Sequence, residues 1–259
     1  MEEENKSLAL IKTGAETFGA AIGGAIGLIG GPLGAIGGNV AGVLISKGLS
    51  EFADKFLSNR EKARAGAAAG LTILGVQENI DNGLILRQDG FFDFNKINRS
   101  KAEELFEGIL LKCKNEFEEK KIKYISNIYK NVAFDITINP DNANQVLNSA
   151  QQFSYRQLSI LALIGQNINN RFLLRTSDYR DDYENVTAEI EFLLQDFIQL
   201  DRQGLICRND NTTMLDTSDV VPGFMKLTLI GQDYFNLLNL DTMSEDEFTF
   251  AENIKNASR

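Results

Sequence analysis

Phe18–Ile45 reads FGAAIGGAIGLIGGPLGAIGGNVAGVLI, 28 consecutive residues without a charge, of which ten are Gly, five are Ala and one, Asn39, has a polar side chain. The glycines are ordered. Gly19, Gly23, Gly27 and Gly31 form one i+4 row, extended by Ala15 and Ala35; Gly30, Gly34, Gly38 and Gly42 form a second, extended by Ser46. On a helix, rows of this kind are flat stripes along which two backbones approach closely, the small-xxx-small pattern of membrane helix packing. Ile22, Ile26, Ile29, Leu33, Ile36, Val40, Val43 and Leu44 fall between them and face lipid or a core. As one helix the stretch extends about 42 Å, enough for a ~30 Å hydrocarbon layer with tilt or a kink. In water each Gly costs roughly 0.5–1 kcal/mol relative to Ala, so close packing has to offset the loss. Pro32 kinks a single span or turns a hairpin of two short halves. Halves of about 14 residues are short for a crossing, which favours the kinked span. A buried oligomerisation helix of a water-soluble protein is the other reading of the same pattern.

The flanks and totals narrow the class. Residues 1–17 carry two Lys against four Glu and residues 46–64 carry five Lys/Arg against three acids. That asymmetry places the C-terminal bulk on the cytoplasmic side of the membrane. The acidic start, Met1-Glu2-Glu3-Glu4, is not that of a secretory signal peptide. A net charge of −10 argues against duplex DNA as the partner. The chain has no His, which excludes a Ser-His-Asp triad and any His-ligated metal. Cys113 and Cys207 stand far apart and read as reduced, packed thiols. There is no P-loop, no GxSxG and no metal-ligand set, so no catalytic residue, metal or cofactor is expected and the chain is read as a non-enzyme.

Four segments follow: 1–80, a glycine-zipper membrane or oligomerisation segment with its following helix; 81–139, a helical connector; 140–240, a winged-helix-like soluble domain; and 241–259, an acidic tail, mobile or loosely docked. The small-residue patch Ala63–Val76 continues a helix from about Ser46. Leu84-Ile85-Leu86 is expected as a short strand. Ser100 and Glu103 have capping-box spacing ahead of a long amphipathic helix from about Lys101 to Val132, whose apolar stripe includes Cys113, Phe117 and Ile122. Lys120, Lys121, Lys123 and Lys130 either touch lipid headgroups or form a solvated face balanced by Glu116, Glu118 and Glu119.

In 140–240, Asp141–Gln152 reads as a short helix, Ser154 with Gln157 caps a second, and Thr187 opens a third that ends near Gln203-Gly204. Strands at Leu205–Cys207 and Met225–Leu229 precede a last helix. The order helix, helix, strand, turn, strand, helix is that of a winged helix. Residues 140–259 carry nine Lys/Arg against eighteen Asp/Glu, and the helix after Thr187 is itself acidic through Glu189, Glu191, Asp196 and Asp201. It repels phosphates, so a protein-contact or oligomerisation role is favoured over DNA binding. Arg171, Arg175, Arg180, Arg202 and Arg208 are candidates for a local nucleotide pocket, with structural ion pairs the commoner use of such residues.

A Gly/Ala-rich membrane-like start, a helical middle and a winged-helix-like end closing on Leu227-Thr228-Leu229-Ile230-Gly231 together resemble the abortive-infection-alpha type of bacterial defence proteins. The layout is also similar to that of the membrane effector of the Hailong anti-phage system. The resemblance implies a homo-oligomeric channel or pore that depolarises an infected cell, gated by a nucleotide or oligonucleotide signal or by a partner protein of the defence system. The fold expected is thus mainly α, with an N-terminal glycine-zipper membrane helix or hairpin, a long amphipathic helix and a winged-helix-like α+β domain. Two other readings stay open: a membrane-anchored scaffold whose C-terminal domain recruits a protein, and a soluble regulator assembled through its glycine rows.

Overall fold

A computed structural model describes residues 58–95, 99–210 and 212–255, and these are mainly helical. The chain divides into two units, one up to Gln152 and one from Phe153.

The first unit holds four helices: α1 (Asn59–Asp81), α2 (Lys101–Lys114), α3 (Lys121–Phe134) and α4 (Pro140–Gln152). Each of the first two opens on a capping box. Ser58 Oγ accepts from the Glu61 N–H while Glu61 accepts from the Ser58 N–H at 2.8 Å, and Ser100 with Glu103 repeats the exchange. Two orphan N–H groups are satisfied at each start. Ser58 has extended backbone (φ −65°, ψ 158°), so α1 begins after it and not at the expected Ser46, and residues 46–57 lie outside the described residues.

The small-residue patch supplies the contact face of α1. Ala67, Ala68 and Ala69 are fully buried where α1 packs on α2 and α3. Short side chains let packed helices approach closely. α4 lies on α2 and α3 through Ala143, Val146, Leu147 and Ala150. A Cβ at Gly108 of α2 would stand 3.1 Å from Leu147 Cδ2. The sequence reading begins the C-terminal module at 140, whereas α4 belongs with the first unit.

Two expectations for this half are corrected. Leu84–Leu86 forms no strand; the segment runs without a ladder partner to Arg87, whose N–H donates to Ala133 O at 2.9 Å. The long helix from Lys101 to Val132 is two helices, because the chain turns at Asn115–Lys120. The turn is built on a buried ion pair. Lys121 Nζ lies 2.7 Å from Glu116 Oε2, with side chains 1% and 2% exposed. The ammonium also donates to Gln151 O at 2.9 Å, and Glu116 Oε1 accepts from the Glu118 N–H at 3.0 Å. Each charge is met from more than one side, the condition under which burying it is tolerable. Phe117, read as part of the apolar stripe, points away and is 79% exposed.

The second unit contains α5 (Tyr155–Gln166), α6 (Ala188–Arg202), α7 (Leu229–Leu237) and a two-stranded antiparallel sheet of β1 (Ile206–Arg208) and β2 (Met225–Leu227), in register Ile206↔Leu227. Ser154 and Gln157 close a capping box on α5, and Thr187 caps α6. Gly204 ends α6 with φ +70°, a conformation that L side chains rarely adopt. The start of α7 fits against the chain beside β1. Thr228 Oγ1 donates to Gly204 O at 2.6 Å, accepts from the Gly231 N–H at 3.0 Å, and the Thr228 N–H donates to Leu205 O at 3.0 Å. A Cβ at Gly231 would lie 1.8 Å from Leu205 O. The Leu-Thr-Leu-Ile-Gly stretch is therefore a helix start pressed onto a backbone, with Thr as cap and Gly as clearance.

The acidic C-terminal segment is docked on the second unit as far as Lys255. Met243, Phe248, Ala251 and Ile254 are buried, and Gln166 Nε2 donates to Leu240 O and Met243 O at 3.0 Å each. Leu174 pairs with Lys255, and the Arg175 N–H donates to Ile254 O at 2.8 Å.

Gly231→Ala will cost about 3 kcal/mol, the overpacking of a methyl against a backbone carbonyl, read from the urea midpoint. Lys121→Met will cost about 3–5 kcal/mol by leaving Glu116 buried without its counter-charge, and adding Glu116→Leu will recover much of that loss.

Candidate functional site

The arginines singled out from the sequence are placed as follows. Arg175, Arg180 and Arg208 gather about the connection between β1 and β2. Arg175 lies 4.2 Å over the Tyr179 ring, donates to Asp178 O at 2.8 Å and reaches Asp182 Oδ2 at 3.1 Å. Arg180 Nε donates to Asp219 Oδ1 at 2.9 Å. Arg208, buried in β1, donates through Nε to Asp210 Oδ1 at 3.0 Å and through Nη1 to Asp219 O at 2.9 Å. Arg171 pairs elsewhere, with Glu245 of the docked C-terminal segment. Arg202 stands exposed in the last turn of α6, outside these pairs. The five are therefore not brought together, and four of them hold carboxylates.

Asp219 is the hub that the sequence reading missed. Its carboxylate accepts from the Leu215 N–H at 2.8 Å as well as from Arg180, and its carbonyl accepts from Arg208. The Leu215 N–H, with the Arg180 guanidinium behind it, holds this carboxyl below its ordinary range. The signal was present: Asp216-Thr217-Ser218-Asp219 has capping-box spacing, and the two aspartates make that exchange around a single 3-10 turn. Thr217 Oγ1 donates to Glu191 at 2.8 Å, and the Tyr179 N–H donates to Ser218 O at 2.9 Å. The loop is thereby tied to the first turn of α6 and to the 175–182 segment. Arg208, with the Thr212 N–H, holds Asp210 down at about 2. Burial pushes the Tyr179 phenol up.

Chemically the cluster is a set of neutralised pairs. An incoming phosphate has to displace an aspartate from each guanidinium; Asp219 and Asp210 are also held by the Leu215 and Thr212 N–H groups, and Asp182 by Asn185 Nδ2 at 2.7 Å. No group of His, Cys, Asp or Glu among the described residues could hold a metal. Burial, with Glu116 nearby, pushes the Cys113 thiol far above its ordinary value, leaving it a packing group.

Gly19, Gly23, Gly27, Gly30, Gly31, Gly34, Gly38, Gly42 and Asn39 lie outside the described residues. Among the described residues no helix is long and apolar enough to cross a membrane. The class defined is a mainly α-helical protein of two units, the second carrying a two-stranded sheet. No protein-family model, no curated protein and no solved structure matches the chain.

The depressed carboxyls make acid the condition that loosens the second unit. Asp210 returns from about 2 to an ordinary 3.8 on unfolding, so the unfolded chain binds the proton more readily. Its contribution is complete above 3.8 and is lost as pH falls toward 2. Urea midpoints taken at pH 5 and at pH 2.5 will fall accordingly, and Asp210→Asn will reduce the difference between them.

Proposed function

We propose that the chain is a homo-oligomeric membrane channel or pore-forming effector, not an enzyme, that sits in the bacterial inner membrane with its two described units in the cytoplasm. The observation that carries the reading is the pair of i+4 glycine rows within the 28 uncharged residues of Phe18–Ile45. Close helix contact inside a bilayer offsets the backbone entropy of ten glycines. Gly19, Gly23, Gly27 and Gly31 on one row and Gly30, Gly34, Gly38 and Gly42 on the other pack neighbouring copies, and Asn39 lines the conduit or bonds across it.

The second unit is read as a winged-helix-like module, supported by the order α5, α6, β1, β2, α7. Its role is gating through a partner protein or a nucleotide signal. The pairing of Arg171, Arg175, Arg180 and Arg208 with carboxylates weights that choice toward a protein. The acidity of the region, nine Lys/Arg against eighteen Asp/Glu over 140–259, argues against a nucleic-acid duplex. The resemblance in layout to abortive-infection-alpha proteins supports a role in anti-phage defence, where depolarising the host limits phage spread.

Purified chain reconstituted in liposomes will release a trapped ion or dye. Gly27→Leu, which fills the middle of one row, will lower that release at least tenfold at equal incorporation. Full leakage by Gly27→Leu removes the zipper, and failure of the wild-type chain to float with vesicles removes the channel.

A further inference from the structure

The end of the first unit where α1 begins has an exposed aromatic set among basic side chains. α1 and the turn Asn115–Lys120 meet there: Glu119 Oε1 is 3.1 Å from Arg60 Nε and 3.0 Å from Arg64 Nε. Lys114, at the end of α2, acts on Glu61 of the first turn of α1. Residues 58–64 and 112–123 carry eight Lys/Arg against four Glu, in a chain whose net charge is −10. Three of the four acids have partners of their own: Glu116 is buried with Lys121, Glu119 lies against two arginines, and Glu61 closes the Ser58 cap. The Arg60 side chain is 74% exposed, and Phe117 and Lys120 are both exposed in the turn. A turn closed by a buried ion pair that leaves a phenyl ring outside is not explained by the packing of the bundle, which gains nothing from Phe117.

We propose that this end is a bilayer-docking surface, with Phe117 entering the interface of an anionic leaflet and Arg60, Lys114 and Lys120 meeting lipid phosphates. Two things select that partner. The sign is right, since anionic headgroups attract such clusters and the rest of the chain is acidic. The place is right, since Ser58 at this end follows the 18–45 run by twelve residues. An interfacial ring with flanking cations is the usual make-up of a surface that lies on a membrane without spanning it. The inference rests on the membrane reading above and adds which face of the first unit the bilayer touches.

The chain has no Trp, so Phe117→Trp in the full-length protein gives a single reporter at a position exposed enough to accept it. With phosphatidylglycerol-containing vesicles its emission will shift to the blue and be quenched by brominated acyl chains. The quenching will drop in phosphatidylcholine vesicles and with Arg60→Gln plus Lys120→Gln, while Phe192→Trp on α6 stays unquenched. A chain that floats with the vesicles while the indole emission of the Phe117→Trp variant matches that in buffer overturns the docking surface and leaves the channel standing. Equal quenching on neutral lipid overturns the role of the cations. A chain that does not float at all overturns both readings.

Discussion

Close packing at positions with little or no side chain shapes both units. At the start of α7, Gly231 lets a helix turn rest on Leu205 O, where any Cβ would be 1.8 Å from the oxygen. In the first unit Ala67, Ala68 and Ala69 of α1 are fully buried against α2 and α3. Neither contact draws much on the area buried by its own side chain. Each works by admitting a neighbour whose larger groups then close around it: Tyr234, Leu237 and Leu238 in one unit, Ile122, Ile125 and Tyr129 in the other.

Charge is handled differently in the two units. The second is strongly acidic, and its arginines serve as internal ties from Arg171 to Glu245, Arg175 to Asp182, Arg180 to Asp219 and Arg208 to Asp210. Most of these are half-exposed pairs of small individual worth. Their effect comes from sharing main-chain partners, so that the β1–β2 connection, the 175–182 segment and the first turn of α6 are held as one piece. The first unit places one ion pair in full burial, at Glu116 and Lys121, and uses it to change the direction of the chain. Such a pair specifies geometry more than it stabilises, because desolvating two charges offsets most of their attraction.

Local signals in the sequence were read well where they are local in physics. The capping boxes at Ser100 and Ser154, the cap at Thr187 and the glycine stop at Gly204 each depend on hydrogen bonds within a few residues, and each is where the spacing put it. The long helix from Lys101 to Val132 failed because apolar spacing persists across a corner: Cys113 and Ile122 both reach the core, and only Phe117 between them does not. The acidic composition of residues 241–255 concealed four buried side chains, Met243, Phe248, Ala251 and Ile254, that dock it.

The sequence by itself determined the helical character, the helix starts at Ser100, Ser154 and Thr187, the uncharged glycine-ordered stretch and the separation of charge along the chain, because each is written in the order of residues and not in which distant groups meet. Only the tertiary structure decided which carboxylate each arginine holds, that Asp219 is the centre of its cluster, and that Phe117 stands outside while Lys121 goes in. Those outcomes depend on groups such as Lys121 and Gln151, or Arg180 and Asp219, which are remote in the chain and meet only when the helices have packed. A burial cost is decided by what surrounds a charge in space, and spacing along a sequence carries no record of that.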